Sequence, residues 1–455
     1  MNRLFRLAAA ALAIVGAGAA SADIKPEEIK QLGDTLTPWG AEMAGNKDGT
    51  IPAYTGGLTK PPASYDPAKK GVLTDPFADE KPLFSITAAN MAQYADKLSE
   101  GVKAALAKYP DVRLDVYPSH RTAAYPKWVV DTTLKNAAQC KEAGPKLENC
   151  VGGVPFPLPK TGTQLIWNHQ LGFMGASVSG RAATVFTDAS GRTLVMGVND
   201  YWFDYPYYAG SNNGNNVEIH KRIRYDYVEP ARVAGEKILL HYKIDNSPTS
   251  VWQYLPGQRR TKLSPDLAYD TPHPQSGGTA GMDQLYGFDG PTDRFDFKIV
   301  GKKEMLIPYN NFKLFSEECA VDKYFRKNFP NPDCVRWELH RVWVVEGTLK
   351  EGKRHIFSKR VFYMDEDTYN VGVYDNYDMS GKIYRFAIQT GVPVYNDPEL
   401  GTSGLTTMHF DLQSGAWLTD NFPSPYAPIK GSANVNSKLP ELEWQSGALS
   451  GGGIR

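Results

Sequence analysis

The sequence predicts an α+β protein that consists mainly of antiparallel β-sheet. Short segments between residues 165 and 412 alternate apolar and polar side chains with a period of two, and turns rich in glycine and charged residues separate them. One clear helical pattern of apolar residues precedes these segments. The aromatic content of 12% favours large buried contact areas within such a sheet.

The first 22 residues are predicted to be a cleavable signal peptide. Arg3 and Arg6 precede an apolar run that extends to Ala20, and small residues typical of a cleavage site end the segment. The alternative is an N-terminal anchor helix, but the run is shorter than the ~20 residues that a membrane-spanning helix needs. We therefore expect residues 1–22 to be removed and a soluble, exported chain to begin at Asp23.

An N-terminal extension of loops and helices is predicted over residues 23–159. Proline and glycine interrupt residues 37–57 too often for regular secondary structure, so this part is expected to be an extended loop packed on the body. Residues 151–159 are again rich in proline and glycine, which predicts a connector between the extension and the sheet.

Two helices are predicted within the extension. Apolar residues from Met91 to Tyr109 recur at helical spacing, and Ser85 or Thr87 is the expected N-terminal cap. A second helix is predicted between residues 125 and 140. The apolar stripe of the first helix indicates a face that packs on the core, with a lid over a cavity as the alternative.

Residues 160–430 are predicted to form the antiparallel sheet. The first strand is expected at Leu165, Trp167 and His169, which would alternate on one face. Two hairpins and a meander of four strands follow, because turn residues separate alternating segments there. The predicted hairpin strands are residues 181–188 with 192–198 and 217–228 with 237–244, and the meander strands are 336–346, 354–364, 369–377 and 382–389.

Four cysteines, Cys140, Cys150, Cys319 and Cys334, are expected to form two disulfides. Their spacing does not fit a zinc site, and an oxidising compartment favours disulfides. Three connectivities are possible, and the local pairing of Cys140 with Cys150 and of Cys319 with Cys334 costs least in loop closure.

Two further segments differ from the regular strands. Residues 200–216 contain six aromatic residues within eight positions beside a stretch of Asn and Gly, which indicates a loop that either binds a partner or is packed by its own rings. Residues 431–455 are polar and rich in glycine, so a flexible tail is predicted there.

No motif in the chain predicts catalysis, a cofactor or a metal site. The glycine-containing segments at residues 175–180 and 277–281 lack the spacing and context of a hydrolase elbow or a phosphate-binding loop. Asp365 to Asp367 begin like a calcium loop but lack the required glycine and distal glutamate, so a hairpin turn with solvated charges is expected. The eight histidines show no paired ligand spacing. Fifty basic residues balance fifty acidic ones, which argues against nucleic-acid binding.

Four sequence blocks resemble the DUF1329 family of proteobacterial exported proteins. These blocks are TPWGAEMAGN at residues 37–46, DGTIPAYTGG at 48–57, VWQYLPGQRR at 251–260 and RVFYMDED at 360–367. The segment around Leu-Pro at residues 255–256 and the paired strands that end near the Gly-Lys turn at 381–382 are similar to the periplasmic lipoprotein carriers of the LolA and LolB type.

This resemblance implies an incomplete, LolA/LolB-like antiparallel β-barrel with helices packed on its concave side and an N-terminal extension. It also implies a protein of the periplasm, either free or peripheral to the outer membrane. The function expected from it is non-enzymatic binding and transfer of a hydrophobic ligand, such as a lipid, a lipoprotein acyl chain or another apolar compound. An outer-membrane β-protein or an inner-membrane export pump is the expected protein partner.

Nine residues are candidates for lining the ligand cavity, because they are large apolar or aromatic side chains that alternate on predicted strands or lie in the aromatic loop. An ordinary packed core explains the same pattern. The candidates are Trp252, Tyr254, Trp337, Leu339, Trp343, Val345, Tyr201, Trp202 and Phe203. Two alternative functions stay open: an envelope hydrolase that uses carboxylates, and a non-catalytic assembly partner of an outer-membrane protein.

Overall fold

The computed structural model describes residues 24–66, 73–208, 217–395, 401–423, 434–435 and 438–451. The predicted signal peptide and residues 209–216 of the aromatic loop lie outside these ranges. The α-helices are α1 (Pro26–Ile29), α2 (Glu100–Lys108), α3 (Lys127–Gln139), α4 (Gly162–Gln170), α5 (Val321–Tyr324) and α6 (Ala448–Gly451). Within the described ranges, no helix is both long and apolar enough to cross a bilayer.

Strands make up most of the regular structure. The first nine are β1 (Phe84–Ile86), β2 (Leu114–Val116), β3 (Lys141–Ala143), β4 (Lys146–Glu148), β5 (Ser177–Thr187), β6 (Thr193–Asp204), β7 (Ile219–Glu229), β8 (Lys237–Lys243) and β9 (Ser250–Leu255). The other nine are β10 (Arg260–Leu263), β11 (Phe295–Pro308), β12 (Arg336–Leu349), β13 (Lys359–Asp365), β14 (Val371–Tyr377), β15 (Ile383–Val394), β16 (Gly401–Asp411), β17 (Trp417–Phe422) and β18 (Asn434–Val435).

Sixteen of these strands form one open sheet, and β3 and β4 form a separate hairpin. The order in the large sheet is β1-β2-β12-β13-β14-β15-β16-β17-β5-β6-β7-β8-β9-β10, with β11 beside β12 and β18 beside β5. All pairs are antiparallel except β2 with β12. The chain is therefore an α+β protein whose open sheet is mainly antiparallel, as the sequence predicted. Two strands of the N-terminal extension, β1 and β2, belong to this sheet.

Strands β12 to β15 are buried on both faces of the sheet. A row of neighbouring residues on one face, Val344, Tyr363, Val373, Ile388 and Met408, packs in the same cluster as helix α2. The row on the opposite face, Val345, Phe362, Tyr374 and Ala387, packs in the same cluster as helix α4. Consecutive strand residues point to opposite sides, so both helices find an apolar surface on the same four strands.

The predicted hairpins and the meander are confirmed by the pairing of β5 with β6, of β7 with β8, and of β12 through β15 in order. The second meander strand is shorter than predicted, because it begins at Lys359 and residues 354–358 form the connection before it. His355 therefore lies outside the strands.

The prediction of a strand at Leu165, Trp167 and His169 is wrong, because these residues belong to helix α4. The hydroxyl of Thr161 caps the helix by accepting a hydrogen bond from the backbone N–H of Gln164. Residues 164–170 are all buried, so the segment lacks the one-sided polarity that distinguishes a helix from a strand in sequence.

The long helix predicted from Met91 to Tyr109 is divided into two pieces. Met91–Lys97 is a 3₁₀ helix, and α2 begins after it with Ser99 rather than Ser85 or Thr87 as the cap. The carboxylate of Asp375 on β14 accepts hydrogen bonds from the Ser99 hydroxyl and from the backbone N–H groups of Glu100 and Gly101, at 2.9, 2.9 and 3.0 Å. This contact attaches the start of α2 to the sheet. The second predicted helix is confirmed as α3.

Both disulfides have the predicted local connectivity, Cys140 with Cys150 and Cys319 with Cys334. The linked cysteines are 10 and 15 positions apart in the sequence, respectively.

The prediction of a flexible tail over residues 431–455 is wrong for residues 438–451. Trp444 and Leu449 in this segment are 3% and 0% exposed and pack against Leu239 and Tyr254 of the sheet. The prediction relied on the polar, glycine-rich composition of the segment. Its few apolar side chains are separated by polar residues, so the composition does not reveal that they pack on the sheet. We call residues 438–451 the C-terminal segment.

Candidate binding site

A pocket lined largely by tyrosine and aliphatic side chains lies against strands β7 to β9. The space between its lining atoms is about 510 Å³ when the open mouth is included, and about 40 Å³ of it admits the centre of a water-sized sphere. We call it the tyrosine pocket. Its lining residues are Thr184, Asn199, Tyr225, Tyr227, Ile238, Leu240, Val251, Leu267, His273, Pro274, Gln275, Met282, Leu285, Tyr286, Asp420 and Asn421.

The pairing register of strands β7 to β9 determines which apolar side chains form one wall of the tyrosine pocket. Tyr225 pairs with Ile238, and Leu240 pairs with Val251 on the next strand. Because alternate residues of a strand share a face, these side chains line the pocket while Leu239 points to the C-terminal segment on the other side. The segment that follows β10 supplies the opposite wall, including Met282.

Polar groups are concentrated on one side of the tyrosine pocket. Asp420 accepts a hydrogen bond from Thr184 and lies 3.1 Å from the ring nitrogen of His273 and 3.2 Å from that of His409. Burial raises the pKa of Asp420, but the two histidines outweigh this effect and hold it well below the ordinary value. The amide nitrogen of Asn199 is buried and has no hydrogen-bond partner among the described residues. The pocket therefore offers one fixed anion and one free donor.

The tyrosines of this pocket are neutral over the physiological pH range. Burial raises the pKa of Tyr225, Tyr227 and Tyr286 above its ordinary value. The hydroxyl of Tyr227 donates a hydrogen bond to Gln275 at 2.9 Å, and those of Tyr225 and Tyr286 contact one another. These hydroxyls are satisfied within the protein, so the rings present mainly an apolar surface.

A second pocket, with an empty volume of about 430 Å³, lies beside the turn between β13 and β14. We call it the carboxylate pocket, because Asp365 contributes to its wall. The lining residues are Thr122, Ala123, Ile307, Pro308, Tyr309, Asn310, Asp365, Thr368, Asn370, Gly372, Gln389, Thr390, Gly391, Val392 and Pro393.

The prediction of solvated charges in this turn is wrong. Asp365, Glu366 and Asp367 are only 1%, 2% and 1% exposed. Arg121 donates two hydrogen bonds to Asp367, at 2.8 and 2.7 Å, and the ammonium of Lys302 lies 2.9 Å from Glu366. Burying a charge is costly unless it is paired, and the sequence brings the partners of these carboxylates from distant segments.

Asp365 differs from its two neighbours. One oxygen accepts hydrogen bonds from the backbone and hydroxyl of Thr368, at 3.0 and 2.7 Å, and the other has no hydrogen-bond partner among the described residues. Burial raises its pKa to about 6, and repulsion from Asp367 acts in the same direction. The free oxygen lies 3.8 Å from a ring nitrogen of His340.

The nine sequence-predicted cavity residues are not brought together. Phe203 alone among them lines one of the described pockets, a smaller space of about 390 Å³ around His169 and Lys221. Trp337 and Leu339 pack in the cluster of α2, whereas Val345 and Trp343 pack in that of α4. Strand β12 pairs with β13 only from Val342 onward, so its two halves have different surroundings.

The four remaining candidates lie on β6 and β9. Tyr201 packs in the cluster that includes the walls of the tyrosine pocket. Trp202, Trp252 and Tyr254 pack around the C-terminal segment on the opposite face. Whether any of the nine candidates contacts a ligand stays a prediction.

The polar contacts within the tyrosine pocket and beside the carboxylate pocket were missed. His273 and Asp420 are 147 positions apart, and Arg121 and Asp367 are 246 apart. The sequence does show a period of two at Tyr225 and Tyr227 and again at Ile238 and Leu240, and the structure places these four side chains in one cluster.

The family whose description is "Protein of unknown function (DUF1329)" matches residues 85–449. The chain belongs to the DUF1329 family. It is 36% identical over 445 residues to the uncharacterized protein PA3922 of Pseudomonas aeruginosa, with 95% of each chain covered.

Two solved structures are similar to parts of this chain. One is a putative outer membrane lipoprotein-sorting protein domain from Vibrio parahaemolyticus, with 14% identity and a TM-score of 0.41, covering 60% of this chain and 92% of that one. The other is a DUF1329 family protein from Desulfovibrio piger, with 14% identity, a TM-score of 0.39 and the same coverages of 60% and 92%. The family predicted from sequence is confirmed.

Proposed function

We propose that this protein binds a hydrophobic molecule with a small polar group in the tyrosine pocket and carries it within the bacterial periplasm. The observation that supports this proposal is the pocket itself, in which apolar residues of three adjacent strands face a polar edge at Asp420. Transfer would be by burial, since about 25 cal/mol is gained for each Å² of apolar ligand surface removed from water.

The polar edge defines the chemistry of the ligand. Asp420 can accept a hydrogen bond from a donor of the ligand. The amide nitrogen of Asn199, which has no partner among the described residues, can donate one to an acceptor of the ligand. A ligand with a hydroxyl or a secondary amide group at one end of an apolar body satisfies both groups, because each offers a donor and an acceptor. A lipid or an acylated compound fits this description, and no catalytic step is required.

The experiment is native mass spectrometry of the mature protein purified from the periplasm, followed by extraction and identification of any bound lipid. Binding is then measured with a fluorescent fatty-alcohol analogue that the natural lipid displaces. We expect a stoichiometric, displaceable ligand.

A matched pair of variants locates the site. Leu240→Phe adds volume to a pocket wall, whereas Leu239→Phe adds the same volume on the opposite face of the same strand. We expect at least tenfold weaker binding for the first variant and unchanged binding for the second. Equal affinities, or loss in both, would place the ligand elsewhere.

The alternative of a non-catalytic assembly partner makes a different prediction in the same experiment. Protein that is free of lipid and does not bind the analogue, but co-purifies with an outer-membrane protein after cross-linking in cells, would replace the carrier proposal.

A further inference from the structure

Three potential metal ligands converge beside the carboxylate pocket. The closest ligand atoms of His340, Asp365 and Asp367 lie within 4.8 Å of one another, and all three side chains are buried. They come from β12, from the end of β13 and from the following turn. Imidazole together with carboxylate oxygens is a donor set suited to zinc and neighbouring divalent transition metals.

A contact with Glu338, on the side of the ring away from Asp365, fixes the orientation of His340. Its Nε2 lies 3.0 Å from Glu338, which is itself 0% exposed. Glu338 also accepts hydrogen bonds from the guanidinium of Arg336 and from the backbone N–H of His120, so it acts as the acceptor and His340 Nε2–H as the donor. The other nitrogen, Nδ1, then faces Asp365 at 3.8 Å. A carboxylate behind a histidine is the usual support of a metal-bound imidazole.

A second, independent observation points to a cation-binding position. The oxygen of Asp365 that faces His340 is buried, and no hydrogen-bond donor among the described residues reaches it. A buried acceptor without a partner is costly, and such groups are rare in proteins. The 3.8 Å between this oxygen and Nδ1 is too long for a hydrogen bond but suits two ligands of one ion.

Arg121 does not prevent coordination by Asp367. Its two hydrogen bonds occupy one lone pair on each oxygen of Asp367, and each oxygen retains another. Arg121 thus positions Asp367 as Glu338 positions His340. The ring of Tyr309 stacks on His340 with centroids 3.9 Å apart and limits its rotation.

We propose that His340, Asp365 and Asp367 bind one divalent transition metal ion of the zinc class. The ion would be bound by the lone pair of His340 Nδ1 and by one oxygen of each aspartate. This site lies apart from the tyrosine pocket, so the failure of either proposal leaves the other standing.

The test uses mature protein without a histidine tag, treated with a chelator and dialysed. Calorimetric titration with ZnCl₂ is expected to give one site per chain, with binding at least 100-fold tighter than that of MgCl₂. Asp365→Asn and His340→Gln are each expected to weaken zinc binding at least 100-fold. The control is His355→Gln, which alters another buried histidine paired with an aspartate, Asp283, and should leave zinc affinity unchanged.

Crystals of the wild-type protein soaked in ZnCl₂ give a readout that does not depend on the folding of any variant. We expect an anomalous difference peak among His340, Asp365 and Asp367. Crystals without a peak at this position, or variants that retain the wild-type affinity, would overturn the proposal.

Discussion

The tyrosine pocket and the carboxylate pocket adjoin one continuous sheet, yet their interiors are built from different chemistry. Neutral rings and aliphatic side chains line the first, with one buried anion at its edge. The second adjoins several buried carboxylates held by cations from other segments. A sheet of alternating residues can thus support an apolar site and an ionic site, depending on which loops cover its ends.

The largest effect on stability is expected from removing Arg121, which pairs with a buried carboxylate beside the carboxylate pocket. Arg121→Met leaves Asp367 buried without its bidentate partner, which should lower the free energy of unfolding by about 3–5 kcal/mol. Guanidinium unfolding measures the change. Lys127→Met, which breaks the exposed pair with Asp131, is the control and should cost less than about 1 kcal/mol. Similar losses of unfolding free energy in both variants would show that the buried pair stabilises the protein no more than the exposed pair does.

A pH-dependent difference is expected from Asp375, which holds the start of α2. Burial raises its pKa to about 7, above the ordinary value of 3.8, although its three hydrogen bonds act in the opposite direction. The folded state therefore holds the proton more tightly, and this residue reduces stability as the pH rises from about 4 to 7. Relative to wild type, Asp375→Asn should gain up to about 1.4 kcal/mol per pH unit in this window.

The measurement is the unfolding free energy of both proteins at several pH values between 4 and 7. Asp378→Asn, at an exposed turn in the same region, serves as the control. A difference between wild type and Asp375→Asn that stays constant with pH would show that Asp375 is ionised throughout.

A third effect on stability is expected where helix α2 packs closely on the sheet. A Cβ atom at Gly101 would lie 2.2 Å from the Cβ of Phe386 and 2.5 Å from an oxygen of Asp375. Gly101→Ala should therefore cost about 1–3 kcal/mol, because neither neighbour can move freely. Thermal unfolding tests this against Gly447→Ala, where an added Cβ meets nothing within 4 Å. Equal melting temperatures for the two variants would argue against the close contact.

The smallest effect is expected in the tyrosine pocket. Tyr227→Phe removes one hydrogen bond, to Gln275, and should cost about 1 kcal/mol. Because burial raises the pKa of Tyr227, the loss should not change between pH 5 and 8. Urea unfolding at both pH values measures it, and a loss that varied with pH would show that the hydroxyl is coupled to an ionising group.

Local patterns in the sequence predicted most of the sheet. Tyr225, Tyr227, Ile238 and Leu240 alternate within two neighbouring strands, so their shared face follows from a period of two. The helix at Leu165 was missed because its residues are buried on all sides. Periodicity carries information only where one side of an element is polar.

The ionic site could not be predicted in the same way. Asp365 to Asp367 form a polar triplet in a turn, which is ordinarily solvated. Their burial depends on Arg121 and Lys302, which the fold brings from segments 246 and 64 positions away. Pairing over such distances is fixed by the complete topology and leaves no local trace in the sequence.

The C-terminal segment has a practical consequence for handling this protein. It covers Leu239 and Tyr254, and Glu441 and Glu443 form ion pairs with Arg222 and Arg224 of β7. A recombinant version shortened before residue 438 would present an aromatic patch to solvent and leave two arginines without these partners. Such a truncation should promote self-association, so an expression boundary belongs beyond Gly451.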